Sequence, residues 1–350
     1  MKITKSILDQ YVAEGWLISQ RHPTLPLTIY NYSQATQYAA KWDEVTLSAR
    51  GLVFDDAGNI VARPFKKFFN IEEAKHTPTE KFEIYEKMDG SLGIMFYYKT
   101  GWVFASRGSF TSEQAVKFKQ IFERKYKTSH LTVTNTYLFE IIYPENRIVV
   151  DYGDMEDVVM LGEIHTQSGE ELNLDHYDNS IFNVVKRYDF QDYKEIQKLN
   201  WQNHEGFIVR FSNGDRCKIK FTDYVKLHRV ITNCSSYDIW QNLMTFDLLP
   251  EEFLQDVPDE FYDWVKGTEA GLRQAFNEQF NLHADAVRNC VADGTADRKE
   301  LAARVMALEG VNRGIVFGLI DGKDVTEKLW KLVKPAYHKP FSETKLDLTV

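Results

Sequence analysis

Glu86-Lys87-Met88-Asp89-Gly90-Ser91-Leu92-Gly93 joins two β-type runs, Phe82-Glu83-Ile84-Tyr85 before it and Ile94-Met95-Phe96-Tyr97-Tyr98 after it. This layout predicts Lys87 at the end of a strand, just ahead of a tight glycine-containing turn. A lysine there becomes a nucleophile only when its amine is held neutral, and burial and neighbouring cations both depress an amine's pKa. The Lys-x-Asp-Gly pattern alone does not decide the matter. Four positions with one free recur by chance, and a surface hairpin turn accounts for them equally well.

The chain of 350 residues is long enough for two domains with separate cores. It is 43% hydrophobic and 27% charged, a globular composition, and its 14% of aromatic residues suits both β-rich cores and base stacking. No apolar run approaches the ~20 residues of a membrane span, and the first residues lack a signal peptide's apolar stretch. Cys217, Cys234 and Cys290 stand at unrelated spacings, which indicates neither a disulfide framework nor a zinc site, so a reducing, cytoplasmic location is expected. A net charge of -9 argues at first sight against a nucleic-acid partner. Its distribution argues otherwise: residues 50–130 carry an excess of Lys and Arg, Lys75 among them, whereas residues 250–300 are acidic. A local basic region is what attracts phosphates.

From about residue 27 to 232 the chain reads as short strands separated by turns. Examples are 51–54, 101–105, 136–143, 158–161, 205–211 and 216–221. Asp55-Asp56-Ala57-Gly58-Asn59, Tyr98-Lys99-Thr100-Gly101 and Ser212-Asn213-Gly214-Asp215 supply hairpin turns. Helical patterns fall at 33–42, 112–126 and 189–199. The expected class is α+β, with largely antiparallel sheets and flanking helices. After about residue 235 strand signals nearly vanish. Phe261, Trp264, Val265, Leu272, Phe276 and Phe280 recur at helical spacing within 256–280, and 296–308 and 326–333 are also helical. The expected division is a catalytic domain over 1–235 and an all-helical domain over 236–350.

Other chemistry-bearing residues follow Lys87. Glu140 is a carboxylate within an otherwise apolar and aromatic strand, and Glu205 opens another. Lys218 and Lys220 share one face of a strand while Ile219 points to the other. Singly, each has an ordinary structural explanation. Together they fit nucleotidyl transfer, in which cations neutralise a triphosphate and carboxylates hold a ribose hydroxyl and a hydrated divalent metal. Catalysis there rests on positioning and charge stabilisation around an in-line displacement at phosphorus.

The pattern resembles the covalent nucleotidyltransferase superfamily of ATP-dependent ligases and capping enzymes. Lys87-Met88-Asp89-Gly90 resembles its first motif, Phe139-Glu140-Ile141 the third, Glu205-Gly206-Phe207-Ile208 the fourth and Lys218-Ile219-Lys220 the fifth. Within it, the chain is most similar to the phage T4-type RNA ligase 1 family. That narrower likeness rests on residues 49–54 and 63–70, on Ser106-Arg107-Gly108-Ser109 and on residues 143–149, and it covers roughly residues 45–230.

The resemblance implies that Lys87 becomes lysyl-AMP. It implies that Arg50, Lys67, Lys218 and Lys220 contact the nucleotide phosphates or leaving pyrophosphate, and that Glu140 binds the ribose. Glu205 would organise the metal, with Glu140 and Asp89 as further metal candidates and Asp89 also serving sealing. Ile208 would pack on the adenine, and Glu86 would belong to the nucleotide site. Arg107 stands where the family carries Lys, and Arg and Lys are not interchangeable at bidentate sites. Whether Lys66 or Lys67 is the functional one rests on its place beside Phe68-Phe69-Asn70. The implied cofactors are ATP and Mg²⁺ or Mn²⁺. The implied partner is RNA with 5′-phosphate and 3′-hydroxyl ends, including nicked tRNA, acted on by a monomer with no membrane partner. The rivals are a DNA ligase, a GTP-dependent capping enzyme and a catalytically inactive RNA-binding module. The first two carry a β-barrel after this domain, whereas the tail here reads helical.

Overall fold

The computed structural model describes residues 3–73, 80–177, 180–254, 257, 259–292, 294 and 297–340, so Lys75, Asp256 and Ala296 lie outside the described residues. The chain divides into two compact units, Met1–Lys226 and Leu227–Val350.

In the first unit the strands are β1 (Leu17–Arg21), β2 (Leu27–Tyr32), β3 (Arg50–Asp55), β4 (Ile60–Ala62), β5 (Phe69–Asn70), β6 (Phe82–Lys87) and β7 (Ser91–Tyr98). Then come β8 (Gly101–Ser106), β9 (Asn135–Ile142), β10 (Asp157–His165), β11 (Glu171–Leu172), β12 (Arg187–Tyr188), β13 (Gly206–Phe211) and β14 (Arg216–Lys220). They form three sheets, ordered β1-β2-β3-β4, β11-β10-β9-β7-β8 and β12-β6-β13-β14-β5. Neighbouring strands are antiparallel except β5 and β14, which pair in parallel. The three turns expected from sequence join β3 to β4, β7 to β8 and β13 to β14.

The helices along the chain are α1 (Lys5–Ala13), α2 (Gln34–Tyr38), α3 (Glu44–Ser48), α4 (Glu113–Lys125), α5 (Tyr193–Ile196) and α6 (Thr222–Asn233). One face of the second sheet carries α4, through Phe118 and Phe122 against Phe104 and Phe139. Its other face packs on the first sheet, Ile94, Phe96 and Leu138 meeting Leu27, Ile29 and Val53. Burial from both sides explains why β9 reads as a nearly continuous apolar run rather than an alternating one. On the third sheet, Phe207 gathers Tyr188, Phe190, Trp201 and Phe221 edge-on.

Two helices differ from the sequence expectation. The pattern over 33–42 is shortened to α2, because Ala40 takes a left-handed φ of 48°, and Asp43 beyond it starts a new helix with a capping box closed by Thr46. The pattern over 189–199 shrinks to α5, because Phe190 is drawn into the aromatic group on Phe207 and Asp192 caps only from that point. The region read as strands up to 232 ends instead in α6.

The second unit continues with α7 (Ser236–Phe246), α8 (Asp259–Val291), α9 (Arg298–Met306), α10 (Arg313–Ile320) and α11 (Thr326–Leu332), and its described residues hold no strand. On α8, Phe261, Val265 and Leu272 are buried and Phe276 lies against Trp330, whereas Phe280 is exposed despite its helical register. Neither α7 nor α10 was evident from apolar spacing.

Candidate active site

Lys87 ends β6 and pairs across the third sheet with Gly206, which pairs in turn with Lys220. Glu205, one residue ahead of β13, is buried between the two lysines. Its carboxylate lies 2.7 Å from Lys87 Nζ and 2.8 Å from Lys220 Nζ. Burial pushes the Glu205 pKa up, but the two ammonium groups outweigh it and hold the carboxyl below its ordinary range. Gly206 has φ 144°, and a Cβ there would collide with the Ile219 carbonyl, so the strands close on Glu205 only with glycine at this position.

The turn after Lys87 is held from below. Asp89 Oδ2 accepts from the Val149 and Val150 amides at 2.9 Å each, and its Oδ1 accepts from the Tyr224 hydroxyl at 2.7 Å. The Asp89 amide donates to the Tyr152 hydroxyl at 2.8 Å. Burial and the nearby Glu205 raise the Asp89 pKa against these hydrogen bonds. Asn146 bridges Ser91 Oγ and the Ile141 carbonyl, so the segment 143–150 acts as a buttress for the turn. A Cβ on Gly90 would come within 2.6 Å of the Ile141 carbonyl oxygen.

Directly beside this turn, Glu140 accepts from the Gly90 amide at 3.0 Å. Its pKa is raised to about 7. Desolvation is the main cause, countered by Lys87 and reinforced by Glu205 and Asp89. Among the described residues, no group of three or more His, Cys, Asp or Glu is gathered closely enough to hold a metal. Asp89, expected among metal ligands, has both oxygens engaged by backbone and tyrosine donors.

Cations gather on the opposite wall. Arg50, first residue of β3, lies 5.5 Å from the Phe68 ring, and its Nη1 is buried with no hydrogen-bond partner among the described residues. Arg107 donates to the Tyr32 hydroxyl at 3.4 Å. Lys67 Nζ sits 5.2–5.5 Å from the rings of Phe69, Tyr32 and Trp42, an aromatic box that attracts the ammonium without neutralising it. Lys66 is exposed and reaches Glu44 at 3.4 Å, whereas Lys67 is half-buried in its aromatic box. Lys218 and Lys220 are half-buried on one face of β14 with Ile219 buried on the other, as period-two spacing requires. Burial first, then repulsion from Lys67, Lys220 and Lys87, lowers the Lys218 pKa to about 8.

Between these walls lies a cavity of about 590 Å³. Six of the residues singled out from sequence line it: Arg50, Glu86, Lys87, Arg107, Glu140 and Ile208. Lys67, Asp89, Glu205, Lys218 and Lys220 are not among the residues that line it. Glu86 points toward Tyr188 and His204, at 3.4 and 3.6 Å. The sequence reading missed an apolar end made by Tyr85, Met88, Leu161 and Val185 around Ile208. It also missed Arg216, which lies 4.0 Å over the Phe65 ring and pairs with Glu171. Arg216 sits two residues before Lys218 on β14, and that spacing was the one available signal.

A cavity of this size suits a nucleotide. Its apolar end can take a base, its cationic wall phosphates, and its lysine–carboxylate cluster offers an amine at the turn.

A family model described as RNA ligase matches residues 48–228. The chain is 27% identical over 219 residues to a putative bifunctional polynucleotide kinase/RNA ligase of Autographa californica nuclear polyhedrosis virus, a match covering 53% of this chain and 31% of that protein. It is 26% identical over 204 residues to a putative RNA ligase of Thermovibrio ammonificans, covering 52% of this chain and 53% of that one. The chain thus spans a third to a half of the length of these curated relatives. A solved archaeal ATP-dependent RNA ligase aligns with a TM-score of 0.49 at 14% identity, covering 74% of this chain and 70% of that one.

Proposed function

Because this chain belongs to the RNA ligase family, we propose that it uses ATP to join a 5′-phosphate RNA end to a 3′-hydroxyl end. The observation that carries this reading is Lys87 at a nucleotide-sized cavity, flanked by Glu205 and Glu140 and sharing that cavity with Arg50, whose Nη1 has no partner among the described residues. Lys87 Nζ attacks the α-phosphorus of ATP; a P–N bond forms as the bond to pyrophosphate breaks. AMP then passes to the 5′-phosphate of RNA, freeing Lys87. The 3′-hydroxyl displaces AMP and forms the phosphodiester.

Arg50 and Lys67 meet the phosphates, Arg107 extends that wall, and Lys218 and Lys220 serve the triphosphate. Ile208, with Val185 and Leu161, takes the adenine, and Glu86 closes the nucleotide wall beside Lys87. Glu140 takes a ribose hydroxyl. Asp89 acts as a positioning residue for the Lys87 turn, since both its oxygens are engaged. Glu140 and Glu205 would hold a hydrated divalent cation, which binds through one or two carboxylates plus phosphate oxygens. Glu205 would do so once Lys87 and Lys220, which engage its two oxygens, turn to the phosphates. Mg²⁺ is the expected ion, Mn²⁺ the alternative, and either would neutralise charge developing on those oxygens. Nicked tRNA in a repair pathway is the proposed substrate, with the protein acting as a cytoplasmic monomer. The three cysteines are free and buried, and no described helix is long and apolar enough to cross a membrane.

Incubation with α-labelled ATP or GTP, followed by 5′-phosphorylated RNA or DNA, tests this. Label retained from ATP, chased by RNA and released as AMP on sealing is the expected result. No label from either nucleotide overturns the reading; label from GTP would indicate capping chemistry, and a chase by DNA alone a DNA ligase.

A further inference from the structure

The cavity holds a second unpartnered polar group that nucleotide transfer leaves unused. Asn31 lies on β2 opposite Arg50 in register, is 6% exposed and lines the cavity, and its Oδ1 has no hydrogen-bond partner among the described residues. A buried amide normally satisfies its hydrogen bonds, and leaving one unmade is costly. Asn135, elsewhere in the same unit, shows the usual case by donating to Glu163 at 2.6 Å. Asn31 instead lies beside Gly108, where an added Cβ would come 3.6 Å from its Nδ2, and Gly108 and Arg107 line the same cavity. An acceptor unpaired among the described residues thus shares one cavity wall with two arginines, Arg50 and Arg107.

We propose that Asn31 and the flanking Arg50 and Arg107 form a subsite for a terminal ribonucleotide, in which Asn31 Oδ1 accepts a hydrogen bond from the ribose 2′-hydroxyl. This rests on the RNA ligase reading. Phosphate carries acceptor oxygens and suits the two arginines, but it offers nothing to Oδ1. The ligand must therefore bring an X–H group next to its phosphate. At a nucleic-acid end that group is the sugar hydroxyl, a donor and acceptor that an amide can match on both counts. DNA lacks it, so Asn31 would discriminate RNA from DNA ends by leaving a buried acceptor unpaired. The ribose belongs either to the 5′-phosphate strand or to the 3′-hydroxyl strand.

The test measures single-turnover sealing by the full chain, loaded with AMP, on ends that are all ribose, 2′-deoxy at the 5′-terminal nucleotide, or 2′-deoxy at the 3′-terminal nucleotide. Wild type is expected to seal the ribose ends about tenfold or more faster than one of the two deoxy ends, and that arm identifies the strand. The ratio should fall to about one in Asn31→Ala and survive in Asn31→Asp, which keeps the acceptor. Equal sealing of all ends by wild type, or an unchanged ratio in Asn31→Ala, overturns the proposal. So does loss of AMP loading in both variants, which would assign Asn31 to the ATP step. A wild-type chain that takes no AMP from ATP overturns the RNA ligase reading itself, a result distinct from indiscriminate sealing.

Discussion

Two glutamates on neighbouring strands of the second sheet, Glu140 on β9 and Glu163 on β10, have opposite surroundings. Glu163 is buried and fully served: Asn135 Nδ2 and the Tyr137 hydroxyl donate to Oε1 at 2.6 and 2.9 Å, and the Tyr177 hydroxyl donates to Oε2 at 3.1 Å. Glu140 receives the Gly90 amide and is otherwise set among Lys87, Glu205, Asp89 and Arg50, charges that pull its pKa both ways. The fully hydrogen-bonded acid holds the fold together, and the partly served one is available for chemistry. Sequence separates them poorly, because each is one carboxylate in an apolar strand.

Substitution at the two positions should therefore give opposite phenotypes. Glu140→Gln should slow lysyl-AMP formation by about a hundredfold or more, since the charge it presents beside Lys87 is part of a preorganised site, while the folded structure persists by circular dichroism. A Glu140→Gln protein with wild-type rate would erase the contrast. Glu163→Ala should do the reverse. Leaving Asn135, Tyr137 and Tyr177 without their acceptor and opening a cavity should cost about 2–4 kcal/mol in denaturant unfolding, with AMP transfer retained by the folded fraction.

The contrast was partly legible. Lys87, Glu140, Glu205, Lys218 and Lys220 lie within short motifs whose spacing along strands carries their meaning, and the strands formed with those faces. Asn31 was invisible, because β2 reads as a plain buried strand and its pairing opposite Arg50 is a long-range matter of register. Phe65 and Arg216 meet only when the second and third sheets come together. Lys67 was chosen over Lys66 only from its place beside Phe68-Phe69-Asn70; in the fold the Lys67 amide bonds the Leu47 carbonyl at 2.7 Å and its side chain enters the aromatic box. The helix expected over 33–42 forms only as Gln34–Tyr38, and the separate helix capped by Asp43 carries Leu47.

Titration sharpens the comparison at a smaller scale. The folded-state pKa of Glu140 is raised from 4.5 to about 7, so its protonated form stabilises the fold below 4.5 and that contribution is lost as pH rises through about 7. Glu140→Gln should melt higher than wild type above pH 7 by roughly a few degrees, with the difference vanishing near 4.5. Lysyl-AMP formation by wild type should rise with pH through about 7 as the carboxylate forms. A variant that melts lower than wild type in alkaline buffer would contradict the sign. The smallest effect belongs to the aromatic box. Trp42→Ala should weaken Lys67's hold on phosphate by about two- to thirtyfold, measured as a loss in pyrophosphate-dependent reversal of AMP loading, and Trp42→Phe should recover most of it.

Lys87, and not Lys218 with its pKa lowered to about 8, is proposed to carry the nucleotide. Peptide mapping of the AMP-loaded protein by mass spectrometry decides between them. The account predicts an acid-labile AMP adduct on the peptide containing Lys87, absent in Lys87→Ala. An adduct on Lys218, Lys220 or Lys67, or one that survives Lys87→Ala, would contradict it.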